Sequence, residues 1–226
     1  MVESADRSKR FQDVSAKYIA PLENEGELEF EGHKAAEAAD KVLSGDPDYV
    51  GVIPVGSMVR AYRTAKSDVD LVILHKTKFD SRTKVEFEDS VEEKIRGILE
   101  TNHHLHCMLI HIDRDVVQGT IFSTLRGNLP IYASWINIFS PAAIGPKIEE
   151  YRNIARDEMI GLDSKTQDLL INEFAEAKVI SEKLSKEKIY ERFQDIEPEQ
   201  LNNLFSKREE LWKEQIKQAL GFYKSS

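Results

Sequence analysis

Cysteine is nearly absent: 226 residues carry a single thiol, Cys107. No disulfide can close within the chain, so packing must hold the fold. An excess of basic residues is missing as well. Lys and Arg number 31 against 40 Asp and Glu, a net charge of -9, whereas phosphate backbones are gripped by clustered Lys and Arg, so a nucleic-acid partner is disfavoured. Apolar runs stay far below the ~20 residues that a membrane span needs, and no membrane partner is expected. The opening "MVESADRSKR" lacks the apolar stretch of a signal peptide, and with one thiol this sets the expectation of a reducing, cytoplasmic compartment. There is no internal repeat and no low-complexity tract. What is present is a 41% apolar content, enough for a full core with an appendage.

The pattern divides in two. Residues 1–46 read as helical, first on a stripe of Phe11, Val14, Tyr18 and Ile19 that Pro21 stops, then as "HKAAEAADKVLSG" ending at Gly45. "YVGVIPV" (49–55) and "DVDLVIL" (68–74) are short, β-branched and apolar, as strands are, with a short helix opening on Gly56 and Ser57 between them. Phe87, Val91, Ile95 and Ile98 recur at helical spacing. "LHCMLIHI" (105–112) makes a third strand, and "RDVVQGTIFSTLRG" a further helix. The type of "LPIYASWINIF" (129–139) stays open, and from there three helices are expected near 147–160, 164–186 and 198–220, the last with Pro198 in its first turn. The expectation is an α/β (α+β) portion, residues 1–140, followed by a helical C-terminal portion, 141–226.

Two aspartates interrupt the second strand. Alternate strand residues share a face, so Asp68 and Asp70 project together with Cα atoms roughly 6.5 to 7 Å apart. Two carboxylates this close repel, and burying them uncompensated costs several kcal/mol. Mg²⁺ or Mn²⁺ is the economical counter-charge, because both take carboxylate oxygens and leave positions open to substrate phosphate. Just upstream, Gly56 and Ser57 stand where a strand runs into a helix, a place that favours an anion. Arg60, Arg63 and Lys66 follow within the same connection, and Ser67 immediately precedes the first aspartate. At a spacing of three, Arg60 and Arg63 can share a helical face and offer charge to a triphosphate.

In this order, apolar strand, Gly56-Ser57, ten residues, then Asp68-Val69-Asp70-Leu71, the chain resembles the DNA polymerase β-type nucleotidyltransferases, in particular their small bacterial and archaeal members, over about residues 48–140. The resemblance implies a small mixed β-sheet flanked by helices. It also implies transfer of a nucleoside monophosphate from an NTP, ATP being the first choice, to a hydroxyl acceptor with release of pyrophosphate. Mg²⁺ would be held by Asp68 and Asp70. Many members have Gly where Ala61 stands, and most supply a third carboxylate from a later strand that completes the metal site and assists deprotonation. Asp113 is the first carboxylate along the third strand; His106 and His111 lie at the more usual depth, and an absent third ligand is the remaining alternative.

The acceptor is expected to be a small molecule or a protein, the acidic charge leaning mildly toward a small or cationic one. The rival expectation is a catalytically weak nucleotide- or protein-binding module on the same fold. A zinc site on His103, Cys107 and His111 is disfavoured, because residues at i and i+4 of a strand stand about 13 Å apart. His104 and His106 lack evident further ligands. Trp135 and Trp212 read as packing residues, with a stacking role for Trp135 as the minor alternative.

Overall fold

The computed structural model describes residues 30–56, 68–99, 104–129, 133–184 and 197–222. The fold is mixed α+β. Strands β1 (Tyr49–Val55), β2 (Val69–His75) and β3 (Leu105–His111) form one sheet in the order β1-β2-β3. β1 runs antiparallel to β2, and β2 parallel to β3. Helix α1 (Phe30–Leu43) precedes β1, α2 (Ser81–Leu99) makes the crossover that a parallel pair requires, and α3 (Arg114–Leu125) follows β3. After a 3-10 segment over Ser134–Phe139 come α4 (Ile148–Ile160), α5 (Ser164–Leu184) and α6 (Pro198–Ala219). No described helix is long and apolar enough to cross a membrane. The strands expected from periodicity fall within one residue of these bounds and the helices within three, the largest difference being the start of α1 at Phe30 where His33 was expected. The helical stripe before Pro21 and the short helix opening at Ser57 lie outside the described residues.

The period of two along each strand decides the layers. Leu71, Ile73, Leu105, Cys107 and Leu109 face one way and pack with Ala35, Ala36 and Ala39 of α1 and Val91 and Ile95 of α2. The alanine side of α1 lets that helix lie close to the sheet. On the opposite face Ile53, Val72 and Leu74 join Phe139, Tyr151, Phe174, Leu204 and Trp212, so one apolar cluster runs from the sheet into the C-terminal helices. Residues on both sides of position 140 share this cluster. Of the segment 129–139, undecided by its sequence, Ser134–Phe139 form a 3-10 turn in which Trp135, Ile136, Ile138 and Phe139 are all buried. Trp135 meets Phe139 and Phe174 edge-on, a packing role.

Both edges of the sheet are covered, which matters because an open edge invites pairing with another chain. Beside β1, Ile144 forms an isolated antiparallel bridge with Val52, exchanging bonds of 2.8 and 3.0 Å. The approach is so close that a Cβ on Gly51 would stand 2.8 Å from the Ile144 carbonyl oxygen, and one on Gly145 would stand 2.3 Å from the Gly51 Cα. Beside β3 the cover is made of side chains. Glu88 and Glu92 of α2 accept the backbone N–H groups of Leu109 (2.6 Å) and Cys107 (2.8 Å), and Arg96 donates to the Leu105 carbonyl (3.2 Å). Four helical residues rise about 6 Å and two strand residues about 6.6 Å, so side chains at i, i+4 and i+8 of α2 keep step with alternate residues of β3.

Candidate functional site

β1 ends where the site begins. In the antiparallel register Val55 stands opposite Asp70, so the residue after Val55 is delivered to the Asp70 side chain. That residue is Gly56, with φ at +76°, and a Cβ built on it would lie 2.1 Å from Asp70 Oδ2. Only glycine accepts both the backbone and the contact. The two halves of the sequence pattern, fourteen positions apart in the chain, therefore meet directly.

Asp68 and Asp70 project to one face at the start of β2. In the parallel register Asp70 pairs with His106 of β3, and His106 Nδ1 stands 3.7 Å from Asp70 Oδ1. One step toward the open end, His104 Nδ1 stands 3.9 Å from Asp68 Oδ1. Asp70 is 34% exposed and Asp68 54%, so both carboxylates reach solvent. Two imidazoles beside two carboxylates make a polar mouth on an otherwise apolar sheet. The sequence suggested His106 only as one alternative and gave His104 no place at the site; the signal for both is the strand register, which periodicity does not reveal.

Asp113 is elsewhere, a correction to its expected place beside the pair. β3 runs parallel to β2, so its residues move away from the aspartates as their numbers rise: His106 lies next to Asp70, while His111 already pairs with His75 at the far end. Five residues of strand put His106 and His111 roughly 16 Å apart, with Asp113 beyond them. Asp113 instead caps α3. Its Oδ1 accepts the Val116 N–H at 2.7 Å and its Oδ2 lies 2.9 Å from His111 Nε2. The Val116 bond, helped by His111, holds its carboxyl below the usual 3.8 despite some burial. His111 shares that end and is likewise remote from the aspartates.

Ser57, Arg60, Arg63, Lys66 and Ser67 lie outside the described residues. Cys107 is buried on the sheet face away from the aspartates, among α1 and α2. Burial, with Glu92 and Glu88 nearby, pushes its thiol up to about 12. Among the described residues no three His, Cys, Asp or Glu side chains are grouped to hold an ion by themselves. What the mouth offers is a pair of hard, solvent-reaching carboxylates, with His106 beside one of them.

Compared with protein-family models, with curated proteins and with solved structures, the chain matches none.

Proposed function

We propose that the chain is a metal-dependent nucleotidyltransferase. It would move a nucleoside monophosphate from an NTP, with ATP the first to test, to a hydroxyl of a small-molecule or protein acceptor and release pyrophosphate. The observation that carries the reading is the contact of Gly56 with Asp70: a turn that tolerates only glycine rests on the carboxylate that a phosphate-bound cation would use.

The donors fit a hard divalent ion. Asp68 and Asp70 are the residues to hold Mg²⁺ or Mn²⁺, hard ions that take two carboxylates and fill their remaining positions with water and phosphate oxygens. Bound there, the ion supplies charge neutralisation for the triphosphate. The sequence assigns the phosphates themselves to the connection carrying Ser57, Arg60, Arg63, Lys66 and Ser67. Gly56 fixes the direction of Asp70 by packing against it. His106, 3.7 Å from Asp70, would take the proton of the acceptor hydroxyl while its oxygen attacks the α-phosphorus and the bond to pyrophosphate breaks. Positioning and charge would supply most of the rate.

The displacement of Asp113 favours a second reading, a module that binds nucleotide with little turnover. One experiment separates the two. Full-length protein is incubated with Mg²⁺, ATP labelled in its α-phosphate and a panel of hydroxyl acceptors. Label transferred to an acceptor, with an equal release of pyrophosphate, that vanishes in Asp70→Asn supports the enzyme. Mg²⁺-dependent ATP binding with no turnover supports the module, and full turnover in Asp70→Asn overturns the site.

A further inference from the structure

A second recess lies on the same sheet face as Asp70, further along β3. It has a volume of about 470 Å³ and is walled by Ile110 of β3, by Val116, Gly119 and Ser123 on one face of α3, by Asn128 after that helix and by Trp135. The size suits a small molecule. From His106 to Ile110 is four strand residues, roughly 13 Å, so an occupant would be separate from a phosphate tail at the aspartates.

The lining specifies the chemistry of the occupant. No Lys, Arg, Asp or Glu is among the described residues around the recess; the one titratable side chain among them, His111, meets Asp113 through Nε2, while its buried Nδ1 has no hydrogen-bond partner among the described residues and is open to a neutral donor or acceptor. An ion entering here would lose water without meeting a counter-charge. The walls combine apolar surface with neutral hydrogen-bonding groups: the Ser123 hydroxyl, the Asn128 amide and the Thr120 hydroxyl, which accepts the Trp135 indole N–H at 3.1 Å.

Gly119, part of the same wall, bears on this. Glycine inside a helix is destabilising relative to alanine, and structures tolerate it where a neighbour comes too close for a Cβ. Among the described residues no such neighbour exists: a Cβ on Gly119 would meet nothing within 4 Å, as is also true of Gly97 in α2, but only Gly119 borders the recess. Gly119 is exposed at the rim of the recess, and its lack of a side chain leaves that wall open.

We infer that this recess binds an uncharged, ring-bearing small molecule that carries hydroxyl or amide groups, of about nucleoside size. The inference goes beyond the nucleotidyl-transfer reading and does not depend on it.

The test uses full-length ¹⁵N-labelled protein, with the indole N–H resonances of Trp135 and Trp212 as reporters and adenosine and uridine as neutral probes. AMP and spermidine are their charged counterparts. Saturable movement of the Trp135 resonance by a nucleoside is expected, with the charged compounds binding no tighter. In Gly119→Leu the affinity should fall at least tenfold while the melting temperature holds or rises. Gly119→Ala, with a smaller loss, serves if the leucine variant does not fold. Asp70→Asn should leave the nucleoside response unchanged, which separates failure here from failure of the nucleotidyl-transfer reading. Absence of a saturable response to either nucleoside, unaltered binding in the glycine variants, or tighter binding of the charged probes would overturn the inference.

Discussion

The carboxylate of Glu92 accepts the backbone N–H of Cys107 at 2.8 Å, from a helix to the outer edge of a strand fifteen residues away. With Glu88 one turn earlier on Leu109, it gives β3 the partners that a fourth strand would otherwise supply. Removing such an acceptor leaves a buried donor unpaired, which costs about 1–3 kcal/mol. Glu92→Ala should lose that much stability in urea denaturation. Glu92→Gln, which keeps an acceptor oxygen, should lose distinctly less. Equal losses in the two variants would show that the carboxylate's charge, and not the acceptor oxygen alone, is what matters.

Asp113 is expected to behave as a helix cap. Asp113→Ala should cost about 1 kcal/mol, yet leave Mg²⁺-dependent ATP binding as it is, measured by calorimetry. The pH dependence has a definite sign. Its carboxyl is held below the usual 3.8 in the folded chain, so its contribution is fully present above that value and is lost as pH falls through the lower folded value. Asp113→Asn should therefore flatten the stability curve on the acid side of pH 3.8. Loss of ATP binding in either variant would return Asp113 to the site.

His106 is the residue to change for the chemistry. If it receives the acceptor proton, His106→Ala should lower the turnover number by about 10²–10⁴-fold with ATP affinity little altered. His104, beside the more exposed aspartate, should matter less. A proportionate loss of ATP affinity and turnover in His106→Ala would place it in binding and not in proton transfer.

Gly56→Ala brings a methyl group to within 2.1 Å of Asp70 Oδ2 at a backbone φ of +76°. The left-handed conformation alone costs about 1–2 kcal/mol in a non-glycine residue, and the turn must also shift off the carboxylate. Reduced stability together with lost Mg²⁺-dependent ATP binding is expected. A variant with normal ATP binding would mean that this contact does not orient Asp70.

The Cys107 thiol, pushed up to about 12 by burial with Glu92 and Glu88 beside it, should resist iodoacetamide at neutral pH in the folded protein and react only once the chain unfolds. Rapid labelling of native protein, followed by mass spectrometry, would contradict its buried place under α2.

Much of this architecture is legible in the chain itself, because the relevant signals are local. Alternation along Val69–His75 places Asp68 and Asp70 on one face without knowledge of any partner, and three- and four-residue spacing locates Val91 and Ile95 on the buried side of α2. The 3-10 segment at Ser134–Phe139 was less legible: a short, largely apolar run, buried from Trp135 on, carries no period to distinguish strand from helix. Glu88 and Glu92 look like ordinary exposed helix charges, and only the neighbouring strand turns them into hydrogen-bond acceptors.

Strand register was decided by the tertiary structure alone. Periodicity states which face a residue takes but not which residue stands beside it on the next strand; that depends on how the crossover through α2 returns. The parallel return of β3 set His106 against Asp70 and carried Asp113 to the far end of the sheet, where its carboxylate caps a helix.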